Sequence, residues 1–177
     1  IAAGDDRALA EVARRHGPRL RGLALRFSGG MADADDIVQE TFWTLWRRAG
    51  RWRPDGPPLG AWLARIAINR AIDGDRRRRV RRFFGLESAE DIGDPAVSAE
   101  LSITARQELA AVRQDILALP PRQRAAILLA ATGEHSNGEI AEALGLSLGA
   151  AEQLLVWARK TLRANLAARD ASTETSQ

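Results

Sequence analysis

The sequence predicts an all-α protein: two helical domains joined by an acidic flexible linker. Three observations predict this. Apolar residues recur at helical spacing almost throughout, no stretch alternates apolar and polar as a strand would, and the charge falls into three blocks. Residues 1–82 hold 18 Arg against 10 Asp plus Glu, a net of +8. Residues 83–105 hold five acids and no base, and residues 106–177 balance seven Arg and one Lys against eight acids. A basic block, an acidic connector and a neutral block imply two domains with different electrostatic tasks. The expected bounds are 1–82 and 106–170 for the domains, 83–105 for the linker and 171–177 for a disordered tail.

In chain order, the expected helices lie near 5–15, 17–28, 33–48 and 60–82, then 106–118, 121–132, 137–144 and 147–168. Asp33 or Asp35 can cap the third, Ser136 and Glu139 have capping-box spacing for the seventh, and Ser147 can cap the eighth. Residues 51–60 carry three prolines and two glycines, so they form a loop. The acidic stretch contains Gly85, Gly93 and Pro95 and lacks a helical face. Trp43, Trp46 and Trp62, large aromatics at helical spacing, are expected in the core.

Composition excludes several classes. Without cysteine there is neither a disulfide nor a thiolate metal site. The longest apolar runs, such as 125–131, fall far short of the ~18 residues of a membrane span, so no membrane insertion is expected. The chain opens on Ile1 and not Met, as expected of a sequence trimmed at its start, and no charged-then-apolar leader stands there. A cytoplasmic protein is expected. His16 and His135 have no ligand-spaced companions, and no phosphate-binding glycine loop or nucleophile motif occurs. The expectation is therefore a protein that is not an enzyme, with no metal and no cofactor.

The informative residues are those of binding. Along 33–48, Ile37, Val38, Thr41, Phe42, Leu45 and Trp46 form one apolar stripe, with Asp36, Gln39 and Glu40 on the other side. In the next helix Leu63, Ala64, Ala67, Ile68, Ala71 and Ile72 sweep out an apolar sector. Arg65, Asn69, Asp73 and Arg76 run along the opposite face, with Trp62 and Ile66 beside them, and Arg77, Arg78, Arg79, Arg81 and Arg82 follow as a basic tail. Arg and Asn side chains hold phosphates and read base edges, so this face points to nucleic acid. A loop holding Arg51, Trp52 and Arg53 can stack on an unpaired base.

Residues 136–160 have helix-turn-helix spacing. Ile140, Ala141 and Leu144 are core positions, Gly145 supplies the positive-φ turn, Leu146 fills the corner and Ser147 starts the second helix. Ala151, Leu154, Leu155, Ala158 and Leu162 face inward; Glu152, Gln153, Val156, Trp157, Lys160 and Arg163 face outward.

Taken together, DADDIVQETFWTLWRR, RWRPDGPPLGAWLARIAINRAIDGDRRRR and LPPRQRAAILLAATGEHSNGEIAEALGLS resemble, in order, regions 2.2, 2.3 with 2.4, and four of an extracytoplasmic-function (ECF) RNA polymerase sigma factor of the sigma-70 superfamily. The resemblance implies a region-two bundle and a region-four helix-turn-helix that direct bacterial RNA polymerase to promoters. It implies that Asp36, Gln39 and Glu40 dock on the β′ clamp helices, and that the loop at Trp52 and Arg53 holds a base flipped from the minus-ten element. Asn69, Asp73 and Arg76 would contact that melted element, with Arg65 and Arg77 adding to the basic DNA face. The acidic linker would run through a positively charged polymerase channel. Region four would bind the minus-thirty-five element and touch the β flap, and an anti-sigma factor would hold the protein inactive.

One departure stands out. Where the family often carries a Thr-Val-Lys-Ser-Arg-like run, this chain has Ala150, Ala151, Glu152, Gln153 and Leu154. Gln153 can pair with adenine and Glu152 can accept from cytosine. Phosphate contacts would fall to Arg159, Lys160 and Arg163. An alternative follows from this weakening: a sigma-like mimic that sequesters an anti-sigma factor without binding promoter DNA. The intact region-two face, with Asn69, Asp73 and Arg76, stands against it.

Overall fold

The computed structural model describes residues 1, 5–83 and 103–175. Among them are seven α-helices, one 3₁₀ turn and no strand: α1 (Asp6–Ser28), α2 (Met31–Arg48), α3 (Leu59–Phe83), α4 (Ile103–Ala118), α5 (Pro121–Ala131), α6 (Asn137–Leu144) and α7 (Leu148–Thr175). The chain is all-α and divides into two compact units, α1–α3 and α4–α7. The acidic linker expected over 83–105 lies almost wholly outside the described residues. No single helix among the described residues is long and apolar enough to cross a membrane.

In the first unit each helix packs on the other two. Asp5 caps α1, its carboxylate accepting from the backbone N–H groups of Arg7 at 2.9 Å and Ala8 at 3.2 Å. Two helices broken near Gly17 and Pro18 were expected, yet α1 is continuous. Pro18 removes one intrahelical donor, but it and Arg14, whose carbonyl loses that donor, both face solvent. Burial of Leu20, Leu23, Ala24, Leu25 and Phe27 outweighs that local cost. Gly29, at φ +83°, ends α1 in the left-handed conformation, its N–H donating to the Leu25 carbonyl at 2.9 Å.

The start of α2 differs from expectation. The helix begins two residues earlier, with Gly30 as an N-cap that has no side chain to offer. Asp33 and Asp35 therefore lie inside the helix and clamp its neighbours. The Arg21 guanidinium donates to Asp35 at 2.6 Å, joining α1 to α2, and holds the Asp35 carboxyl below the usual carboxylate range. Asp33 pairs with Arg78, joining α2 to α3; these two side chains are only 27% and 18% exposed.

The core of this unit is small-residue packing. Ala61, Leu63, Ala64, Ala67, Ile68 and Ala71 of α3 are buried, against Ala34, Ile37 and Leu45 of α2 and Phe27 of α1. Thr41 is buried too, and its hydroxyl is satisfied within α2 by the Ile37 carbonyl at 2.7 Å. Helical spacing carries the buried stripe of α3 onward from Ala71 to Asp75 and Arg78. Asp75 is buried and pairs with Arg79 at 2.9 Å.

In the second unit α5, α6 and α7 pack pairwise, and α4 packs on α7. Pro121 opens α5 at a position where a missing N–H costs nothing. Arg124 is buried at the α4–α5 turn, where its guanidinium donates to the carbonyls of Leu117 and Leu119 left over at the end of α4. Asp115 ties α4 to the far half of α7, accepting from Asn165 at 2.8 Å and pairing with Arg169. The capping box at Ser136 and Glu139 is present in both directions, and Gly145 turns at φ +63°. Ser147 caps α7, its hydroxyl accepting from the Ala150 N–H at 3.3 Å. A disordered tail was expected from 171, but α7 runs on to Thr175. Ala164, Ala167, Ala168 and Ala171 favour the helix, and after Gly149 in its first turn no Gly or Pro occurs in it.

Two stability predictions follow from these contacts. Arg78→Ala leaves the half-buried Asp33 carboxylate without its partner and should cost about 1–3 kcal/mol, whereas Arg77→Ala should stay within about 0.5 kcal/mol; chemical denaturation followed by circular dichroism separates them. Ser136→Ala should cost roughly 1 kcal/mol in the second unit. The Ser136 N–H and hydroxyl hold the Glu139 carboxyl below its usual range. Its contribution is thus present above the unfolded pKa and lost as pH falls through the lowered folded one. Melting curves from neutral to acid pH should show Glu139→Gln losing less stability on acidification than the wild type.

Candidate nucleic-acid and protein interfaces

One exposed stripe runs along α2. Asp36, Gln39 and Glu40 all face solvent, as expected. Trp43 joins them instead of the core, with 56% of its surface exposed. Its position, seven residues after Asp36 and four after Gln39, puts it on the same side of the helix, while Ala34, Ile37, Thr41, Thr44 and Leu45 take the buried side. Counting from Asp36 by three and four is the sequence pattern that identifies it. Trp43 borders a shallow depression with Leu9 of α1 and with Gln39, Glu40, Phe42 and Trp46 of α2. Trp46 and Trp62, also expected in the core, are half-buried.

Beside this stripe a groove of about 440 Å³ separates α2 from α3. Asp36, Gln39 and Glu40 line one wall; Arg70, Gly74, Arg77 and Arg78 line the other. Arg70 bridges them, 3.9 Å from Glu40 and 3.3 Å from the Thr44 hydroxyl. Arg77, expected with the DNA face, is brought to this groove.

The polar line of α3 lies on the side away from the alanine stripe. Asn69, Asp73 and Arg76 are exposed and Arg65 is half-buried. Arg76 and Asp73 approach to 3.8 Å, but both are so exposed that the pair is weak. The arginine tail is thereby divided. Arg78 and Arg79 are held by Asp33 and Asp75, while Arg76, Arg77 and Arg81 stand out in solvent.

The loop ahead of α3 is internally braced. The Trp52 indole N–H donates to the Pro57 carbonyl at 3.0 Å, and inside that span the Gly56 N–H donates to the Arg53 carbonyl at 3.1 Å. Trp52 is half-buried and Arg53 is exposed.

In the second unit α6 and α7 form the helix-turn-helix. Glu152, Gln153, Val156, Trp157, Lys160 and Arg163 all face outward, as expected, with Val156 and Trp157 54% and 50% exposed. Leu155, Ala151 and Ala158 are buried, and Leu154 and Leu162 are half-buried. The Glu152 carboxylate accepts from the Asn137 amide at 3.5 Å across the two helices.

Comparison with known proteins agrees with this geometry. The Sigma-70 region 2 family model matches residues 12–83, the three-helix unit, and the Sigma-70 region 4 model matches residues 109–162. RNA polymerase sigma factor CnrH of Cupriavidus metallidurans is 38% identical over 98% of this chain and 92% of its own length. ECF RNA polymerase sigma factor SigM of Mycobacterium tuberculosis is 31% identical over 90% of this chain and 78% of its own. The solved structure of CnrH in complex with the cytosolic domain of CnrY matches with a TM-score of 0.66 at 34% identity, over 94% of this chain and 92% of that one. In sequence, in the order of its two units and in fold, this chain belongs to the ECF RNA polymerase sigma factors.

Proposed function

We propose that the chain directs core RNA polymerase to its promoters by docking through α2 and engaging the melted minus-ten element through α3 and the loop before it. The observation that carries this reading is that the Asp36–Gln39–Glu40–Trp43 stripe and the Asn69–Asp73–Arg76 line occupy separate faces of one tightly packed unit. A protein built so can hold polymerase on one side and unpaired DNA on the other. Asp36, Gln39 and Glu40 supply polar contacts to the β′ clamp helices, and Trp43 supplies the large apolar anchor that interfaces concentrate their energy on. Arg53, Arg65, Asn69, Asp73 and Arg76 face the DNA, with Arg77 adding positive charge from the groove. The chain acts by binding and not by catalysis, in the cytoplasm, with no cofactor.

An anti-sigma factor is the proposed inhibitor, by analogy with CnrH, whose solved structure is a complex with the cytosolic domain of CnrY. The second unit carries the proposed contacts to the minus-thirty-five element, through Gln153, Lys160 and Arg163, and to the β flap. The exposed Val156 and Trp157 favour a second reading for this half, a sigma-like mimic whose second unit binds protein in place of DNA.

Run-off transcription with core polymerase from the promoter upstream of the chain's own gene tests the proposal, and a specific transcript is expected. Trp43→Ala should weaken core binding by roughly 2 kcal/mol or more, and Asp36→Arg should weaken it as well, both with unchanged circular dichroism. Asn69→Ala and Arg76→Ala should leave core binding intact and reduce promoter opening by about 1–3 kcal/mol, read by permanganate footprinting. Absence of any transcript, with normal binding to an anti-sigma factor, would select the mimic.

The recognition helix yields a separate prediction. The isolated second unit should bind duplex DNA weakly and with a shallow salt dependence, because on the outward face of the recognition helix only Arg159, Lys160 and Arg163 bring positive charge near the proposed groove contact and each phosphate contact contributes about 0.9 to the slope. Glu152→Lys should strengthen binding to cognate and scrambled duplexes alike. A loss confined to the cognate duplex would mean that Glu152 reads a base directly.

A further inference from the structure

We infer that Trp52 is a positioning residue of the base-holding loop: its indole N–H, bonded to the Pro57 carbonyl, locks the loop in the shape that presents Arg53. The inference rests on the reading above that this loop holds an unpaired base, and it assigns the roles within the loop differently from the sequence. By sequence alone Trp52 is the stacking platform, because an aromatic flanked by arginines suits an exposed base.

The geometry argues for a brace. Four hydrogen bonds organise residues 49–62. The Trp52 N–H donates to the Ala49 carbonyl at 3.2 Å, where the 3₁₀ turn after α2 ends. The Trp52 indole reaches forward to Pro57 at 3.0 Å, and the Arg53–Gly56 bond at 3.1 Å closes a turn within that span. The Trp62 N–H then donates to the Pro58 carbonyl at 3.0 Å, running the loop directly into the first turn of α3. Trp52 thus takes part at both ends of the loop, through its backbone and its side chain.

The same bonds determine what remains available to a ligand. Trp52 is half-buried and its single side-chain donor is already used, while Arg53 is exposed. A β-carbon at Gly56 would stand 3.3 Å from the Arg53 carbonyl, so the inner turn is close-packed. Pro54, Pro57 and Pro58 restrict the backbone further. A loop ordered before the base arrives avoids the entropy cost of ordering it on binding. Arg53 makes the contact, and Trp52 sets where Arg53 stands.

Phenylalanine separates brace from platform, since it keeps an aromatic face and lacks the N–H. The full-length chain, wild type and with Trp52→Phe, Trp52→Ala or Arg53→Ala, is bound to core polymerase and titrated against fork-junction DNA carrying each of the four bases at successive minus-ten positions. Circular dichroism and core affinity report whether each variant folds. The expected result is that Trp52→Phe and Trp52→Ala both flatten the base preference, with Trp52→Phe lowering affinity for the best base by roughly threefold to tenfold, the worth of one hydrogen bond. In the free wild-type chain, nitrogen–proton spectra should show the Trp52 indole N–H protected from solvent exchange. Wild-type preference retained in Trp52→Phe but lost in Trp52→Ala would make the ring a stacking platform and overturn the brace, as would a freely exchanging indole. No base preference in the wild type at any position, with Arg53→Ala binding normally, would overturn the base-holding reading and the brace together.

Discussion

The first unit depends on one constraint: α3 must bury one side although its sequence contains eight arginines. The solution is a stripe of small residues. Ala61, Ala64, Ala67 and Ala71 are all at most 6% exposed and lie three or four positions apart. Alanine loses no side-chain entropy in a helix and allows neighbours to come close. Leu63 and Ile68 add bulk to the same buried core, as do Phe27 of α1 and Leu45 of α2. Long polar side chains are thereby left on the remaining surface, where they can reach a partner without disturbing the core. The narrow buried stripe leaves most of the helix surface to polar side chains.

Where the alanines stop, charge takes over the inward side of α3. Asp75 and Arg78 follow Ala71 at helical spacing, and each is held in a pair, with Arg79 and Asp33. A half-buried ion pair adds little net stability compared with apolar packing, but removal of one partner is costly. The Asp33–Arg78 pair serves register more than strength, securing the end of α3 against α2, whereas Asp75–Arg79 lies within α3 and satisfies the buried carboxylate. The acids at the start of α2 take part in the same division of labour. Asp33 and Asp35 each reach a different neighbouring helix, so the polar surface of α2 nearest them is fixed relative to both.

The second unit solves its own polar problem differently. A buried arginine is costly unless it is hydrogen-bonded, and the Arg124 Nη2 group donates to two carbonyls at the end of α4. The Ser136–Glu139 box and the left-handed Gly145 close the two ends of the short α6, an eight-residue helix with little stability of its own. Fixed ends give α7 a defined exit, and with it a defined outward face. That face carries the polar Glu152 and Gln153 and the apolar pair Val156 and Trp157, whereas its positive charge sits only toward its later turns. In this protein the net positive charge belongs to residues 1–82.

The helices, the helix-turn-helix with its caps and glycine turn, and the outward positions of α7 were legible in the sequence because they are local: hydrophobic period, capping chemistry and the φ of glycine act within a few residues. The division into a basic and a neutral block was legible for a similar reason, since charge is counted along the chain. Tertiary structure alone decided what depends on neighbours distant in sequence. It carried α1 through Pro18, since burial on α2 and α3 outweighs one missing hydrogen bond. It turned Asp33 and Asp35 from caps into clamps, since their partners Arg78 and Arg21 arrive from other helices. And it joined Trp52 to Pro57, turning a side chain that composition marks for stacking into one engaged with its own loop.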